Sequence, residues 1–251
     1  MREIISNNQL CTFFGGDFEL IEEGDFSGEY NMTFDYERTK KMAGNECIPM
    51  LRFYGWKPWA VSLGYNQKDS DISEKLCREK GFDIVRRPTG GRAVLHAAEL
   101  TYSVVMNIGD RSLQELYRGI HAILLKGFHE LGCEGLGYEQ AQPDFSNFYR
   151  NSGMSVSCFA SSARYEIEWN GRKVVGSAQR LFGNTLLQHG SIILDRGHEE
   201  LADVVSLPDD SSREKLRKFI VSHSASLSEA CGRTIGYREV VDCILKTIQQ
   251  G

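Results

Sequence analysis

Residues 86–96 read Arg86-Arg87-Pro88-Thr89-Gly90-Gly91-Arg92-Ala93-Val94-Leu95-His96. The segment leaves a strand-like run, Ile84–Arg87, and enters a turn at Pro88. The adjacent Gly90 and Gly91 carry no Cβ, so backbone N–H groups can lie bare against a ligand there. The plainer reading is a tight surface turn with solvated arginines, and a Gly-Gly pair alone leaves that reading ahead. The spacing is neither GxxxxGK[ST] nor GxGxxG, so the phosphate-cradling mechanisms of those motifs do not apply.

Working outward, the flanks alternate strands and helices. Upstream, helical spacing of Met32, Asp35, Tyr36 and Thr39 predicts a helix over Asn31–Met42. Met50–Phe53 and Ala60–Leu63 read as strands around the break Gly55-Trp56-Lys57-Pro58. Asp71–Lys80 reads as a helix closed by Gly81. Downstream, Leu100–Ile108 is an apolar strand inside a sheet. Ser112–Leu131 carries one stripe of apolar residues from Leu113 to Leu131 and closes at Gly132.

Leu136–Ser162 lacks periodicity and is rich in Gly, Ser, Asn and aromatics, which marks a functional loop or disorder. Tyr165–Ala178 reads as a hairpin turning at Asn170-Gly171. That register pairs Trp169 with Arg172, Glu168 with Lys173 and Glu166 with Val175. Leu186–Leu194 is a further strand, and two helices, Ser212–Ser222 and Tyr237–Gln249, finish the chain. The pattern predicts an α+β fold with a mixed β-sheet core and flanking helices.

The chain has 251 residues, with 29 Lys and Arg against 34 Asp and Glu. It is 41% hydrophobic and 25% charged, which excludes a disordered or fibrous chain. The slight acidity speaks against a nucleic-acid partner. No stretch approaches the apolar length of a membrane span, and MREIISNNQL lacks a signal peptide's apolar run. A cytoplasmic protein is expected, with no membrane partner. Its seven cysteines (Cys11, Cys47, Cys77, Cys133, Cys158, Cys231 and Cys243) form no CxxC, so reduced, unpaired thiols and no metal site are expected.

Three further positions carry possible chemistry. Lys173 sits beside a stiff turn, but opposite Glu168 it reads first as an ordinary ion pair on a wet face. Cys158 lies in the uncharged loop, one of seven cysteines, and a nearby cation such as Lys173 would favour its thiolate. His189 is a lone histidine on a strand, with no second one at metal-ligand spacing.

Taken together, these segments resemble the lipoate–protein ligase and octanoyltransferase family, whose fold is shared with the biotin protein ligase catalytic domain. The match runs in order through Asn31-Met32 to Asp35, SLGYNQ (62–67), RRPTGGRAVLH (86–96), ELTYSV (99–104), GRKVVGSAQR (171–180) and LQHGSIILD (187–195). It covers roughly residues 25–210 and implies one catalytic domain over 1–251, with a C-terminal helical segment from about 211.

Two chemistries divide that family. The ligases activate a free acid with ATP and Mg, read GGG at the turn and need an accessory domain. This chain has Arg92 at the third position and too few residues after the core for such a domain. The octanoyltransferase branch uses a Cys–Lys pair and no cofactor. Cys158-Phe159 and Lys173 match one of its classes, while Ala97 departs from the Asp common after His96.

The resemblance implies octanoyl transfer from an acyl carrier protein to a lysine of a lipoyl-domain protein or the glycine-cleavage H protein. Cys158 is the implied nucleophile and Lys173 its partner. Arg87, Gly90, Gly91, Arg92, His96, Gly176, His189 and Gly190 are implied in binding substrate. Arg86, Arg87 and Arg92 stay between an acidic-carrier face and plain solvated arginines. An ATP-dependent ligase, an amidotransferase between lipoyl proteins and a non-catalytic carrier-binding protein are the other readings.

Overall fold

Alternation along Glu99–Asn107 sets the layout. Leu100, Tyr102, Val104 and Met106 turn into one large core, while Glu99, Thr101, Ser103 and Val105 turn to the opposite face. The structure, a computed structural model, describes residues 1–138 and 166–249. In chain order the strands are β1 (Arg2–Ile5), β2 (Phe18–Phe26), β3 (Met50–Trp56), β4 (Ala60–Leu63), β5 (Asp83–Arg86), β6 (Val94–His96) and β7 (Glu99–Asn107). They continue as β8 (Leu136–Tyr138), β9 (Ile167–Trp169), β10 (Arg172–Lys173), β11 (Val175–Phe182) and β12 (Thr185–Ile193).

The main sheet has six strands in the order β1-β2-β3-β7-β12-β11. Only β2 and β3 run parallel within it, so the sheet is mixed, as the sequence predicts. A second sheet, β5-β4-β6, carries the segment 86–96. A third, β10-β9-β8, holds the Asn170-Gly171 hairpin.

Helix α1 (Gln9–Phe14) links β1 to β2, and α2 (Gly28–Ala43) packs on β7, β12 and β5. Next come α3 (Glu74–Lys80) and α4 (Leu113–Glu130), the latter opened by a reciprocal Ser112–Glu115 capping box. The chain ends in α5 (Leu201–Val204), α6 (Asp210–His223), α7 (Leu227–Cys231) and α8 (Tyr237–Gln249). Helix α8 lies on α4, and both seal the Tyr102 face of the sheet. They meet at Gly127, where a Cβ would stand 2.9 Å from the Ile244 Cα, so a larger residue would push the helices apart.

Four expectations need correction. The hairpin is shorter than its turn suggested: Trp169–Arg172 and Glu168–Lys173 pair, but Val175 leaves for the main sheet and pairs with Ile192 instead of Glu166. The C-terminal region holds four helices, because α5 and α7 are too short to show a helical period. The opening residues, read as no element, form β1, α1 and β2. Cys133 and Cys231 are joined as a disulfide although they lie 98 residues apart, a proximity created only when α7 folds against the end of α4. Of the predicted loop, Leu136–Tyr138 forms β8, and the remainder lies outside the described residues.

Candidate active site

A cavity lies between the main sheet and the second sheet. Its floor crosses the main sheet through Gly176–Ala178 on β11, His189–Ser191 on β12, Thr101 on β7, and Tyr54 and Trp56 on β3. Ser62, Arg87, Val94 and His96 close it from the second sheet, and Met32 from α2. The cavity thus gathers Arg87, His96, Gly176, His189 and Gly190 from the sequence prediction. Gly90, Gly91 and Arg92 do not line it. Gly91 instead has φ +90° and its carbonyl presses on Gly64, where any Cβ would collide with it.

Many of the lining residues are polar, yet their polar atoms are spent on one another. Glu99 accepts from His96 Nδ1 at 2.8 Å, from Thr101 Oγ1 at 2.5 Å and from Ser191 Oγ. A carboxylate on Nδ1 fixes the proton there, so His96 Nε2 accepts from Ser62 Oγ at 2.7 Å. Ser62 in turn accepts from Arg87 Nη1 at 3.1 Å. Thr101 Oγ1 accepts from Trp56 Nε1 at 2.7 Å, and the Trp56 ring stacks on His96 at 3.9 Å. Ser177 Oγ is shared with Tyr102 and His121, at 2.7 and 2.9 Å. What remains for a ligand is a carbon-rich wall. Buried polar groups paired in this way carry no desolvation penalty when an apolar chain covers them.

A second polar chain supports the turn at 88–91. His189 Nε2 accepts from Thr89 Oγ1 at 2.6 Å, while Nδ1 faces Asp35 Oδ2 at 3.5 Å. Asp35 is fully buried and also meets Arg52 Nη1 and the Tyr54 hydroxyl, each at 3.0 Å. Burial pushes the Asp35 carboxyl up, but His189 and the Arg52 charge outweigh it and hold the group below the usual carboxylate range. Burial pushes His189 down, and the Asp35 contact offsets only part of this, so His189 is neutral near pH 7.

Arg87 is corrected here from a surface arginine to a buried one. Its donors go to the Ser62 carbonyl at 2.8 Å, the Gly90 carbonyl at 3.1 Å and the Arg92 carbonyl, so it knits the 86–96 turn together. Arg86 is a staple as well, donating to the carbonyls of Gly64 and Gln67 at 2.7 and 2.8 Å and pairing with Asp69. Arg86 stays exposed, and Arg92, whose carbonyl serves Arg87, is half-buried.

Lys173 is 4% exposed, so the wet-face ion pair is also corrected. Its Nζ meets Glu166 Oε2 at 2.7 Å, and Glu166 is equally buried. Glu168 is its register partner, but Glu166 lies diagonally on the same face of the ribbon, within reach of a long side chain. Lys173, on β10, does not line the cavity; it stands three residues before Gly176, the first β11 residue that does. Cys158 lies outside the described residues. Among the described residues no group of three His, Cys, Asp or Glu is placed to hold a metal ion, and no helix is long and apolar enough to cross a membrane.

The sequence pattern of the lipoyl protein ligase A/B catalytic domain matches residues 27–249. The chain belongs to this family. An octanoyltransferase LipM of Kyrpidia tusciae is 36% identical over 233 residues, covering 90% of this chain and 84% of the relative. The LipM of Symbiobacterium thermophilum is 37% identical, covering 90% and 82%. An archaeal bi-partite lipoate protein ligase from Thermoplasma acidophilum shares the fold with a TM-score of 0.70 at 20% identity, covering 92% of this chain and 82% of that one. Octanoyl transfer, the activity those LipM relatives carry by name, makes this family member an acyltransferase.

Sequence reasoning missed Trp56, Ser62, Glu99, Thr101, Ser191 and Asp35. A signal existed in Glu99, Thr101 and Ser103, three polar residues at period two in an otherwise apolar strand.

Proposed function

We propose that the chain transfers an octanoyl group from the thioester of an acyl carrier protein to a lysine of a lipoyl-domain or glycine-cleavage H protein, through an acyl-enzyme on Cys158. The observation that carries this reading is the buried Lys173–Glu166 pair on the strand that leads into β11, whose Gly176–Ala178 line an apolar cavity, in a chain whose relatives are octanoyltransferases. The Cys158 thiolate attacks the thioester carbonyl, the carrier thiol leaves, and the octanoyl group is held as a new thioester of similar energy. The acceptor amine then attacks, loses a proton and forms an amide as Cys158 leaves as thiolate. The amide lies downhill from a thioester, so the sequence runs without ATP. This is nucleophilic catalysis with ping-pong kinetics.

In this reading Lys173 supplies the positive charge that favours the thiolate, and Glu166, 2.7 Å away, orients its ammonium. The test is intact-mass analysis after mixing with octanoyl-carrier protein, in parallel with octanoate plus ATP and with octanoylated H protein. An octanoyl adduct on the wild type that is absent in Cys158→Ala is expected. Adduct formation surviving Cys158→Ala overturns the nucleophile, and product arising only with ATP overturns the transferase reading.

A further inference from the structure

The slot has a measurable length. From β11, the strand that follows Lys173 in sequence, to β3 the cavity floor crosses three strand spacings, about 14 Å in all. An extended, staggered octanoyl chain spans about 10 Å from carbonyl to terminal methyl, and van der Waals clearance at its two ends takes up most of the difference. With its carbonyl at the β11 end, such a chain brings its last carbon to β3, where Tyr54 and Trp56 line the cavity.

We propose that Trp56 is the stop that sets the acyl length at eight carbons. The inference rests on the reading that this cavity holds the acyl chain. Trp56 is fixed on three sides. Its Nε1 donates to Thr101 Oγ1 at 2.7 Å, its face lies on His96 at 3.9 Å and 10°, and Tyr54 packs at 5.8 Å between ring centres. His96 cannot retreat, because Glu99 and Ser62 hold both its nitrogens. A chain two carbons longer therefore meets a ring that has no free rotamer. Trp56 is a specificity residue in this account and takes no part in the acyl transfer itself.

The test is the rate of acyl-enzyme formation from carrier thioesters of six, eight, ten and twelve carbons, read by intact mass. The wild type is expected to favour eight. Trp56→Leu opens the end of the slot, and the ten-to-eight ratio is expected to rise at least about tenfold, the lower range for one methylene in a fitted pocket. Trp56→Phe keeps an aromatic face on His96 and is expected to move the same way by less; it decides the matter if Trp56→Leu does not fold. A folded variant that keeps the eight-carbon optimum overturns the stop. A wild type that takes up none of the thioesters overturns the acyl-cavity reading beneath it, a distinct outcome.

Discussion

Gly190 offers the sharpest test of how the slot is built. It pairs with Tyr102 on β7 and with Ser177 on β11, at the centre of the cavity floor. A Cβ at this position would stand 2.6 Å from Tyr102 Cε1 and 3.0 Å from the Gly176 carbonyl, and would also strike Ser177 Oγ. None of these neighbours can step aside cheaply. The Tyr102 ring is pinned by Gln188 and Ser177, each at 2.7 Å from its hydroxyl, and Gly176 belongs to the β11–β12 ladder. Overpacking a filled site costs about 1–3 kcal/mol, and losing one of the Tyr102 hydrogen bonds adds about 1 kcal/mol.

Gly190→Ala should therefore lose about 2–4 kcal/mol, a fall of roughly 5–15 °C in melting temperature for a chain this long. The strands must part where Gly176 and Gly190 line the cavity proposed to hold the acyl chain, so octanoyl adduct formation should fall together with stability. Calorimetry and intact-mass kinetics on one preparation check both. A variant melting within a degree of the wild type and acylating at its rate would refute the claim that the floor is packed to contact.

Acidification should destabilise the fold. His189 and His198 are both held below their ordinary range by burial, so between folded and unfolded values the unfolded chain binds more protons; stability is complete above about pH 6.5 and falls below it. Urea unfolding at about pH 8 and pH 5.5 measures this, and a flat profile would contradict it. Asp35 adds a second loss at lower pH, since its carboxyl is held down and its contribution fades as pH drops through the carboxylate range. Arg52→Lys removes a fork that reaches Glu23, Asp35 and Asn31 from a fully buried position and stacks on Tyr54 at 3.9 Å; a loss of about 2–4 kcal/mol is expected in thermal melts. For Glu166 and Lys173, a double-mutant cycle with Gln and Met should return a coupling of about 1–3 kcal/mol, and Glu166→Gln alone should slow transfer at least tenfold, whereas additive effects would separate the two residues.

The regular elements were legible where one period dominated. The stripe from Leu113 to Leu131 gave α4, and the largely apolar run after Glu99 gave β7. Strand β2 was not legible, because Glu19, Glu22 and Glu23 interrupt it and only the fold supplies Arg38, Arg238 and Arg52 as their partners. The same reason hides half the site. His96, His189 and the glycines stand out in sequence as unusual residues, but Glu99 acquires meaning only when β6, β7 and β12 bring His96, Thr101 and Ser191 around it. Lys173 was visible and its partner was misread, since register specifies the residue opposite and not the diagonal one that a long side chain prefers.

The polar side chains that satisfy one another around the slot also make it a filter by refusal. A chain bearing a hydroxyl would enter a lining whose side-chain donors and acceptors, His189 Nδ1 apart, are already engaged, and would forfeit hydration for little in return. An uncompensated hydroxyl costs about 1–3 kcal/mol, or roughly 5- to 150-fold in preference. In the proposed acyl slot, selection for fully reduced chains thus needs no group that recognises reduction, only a wall with little hydrogen-bonding capacity left.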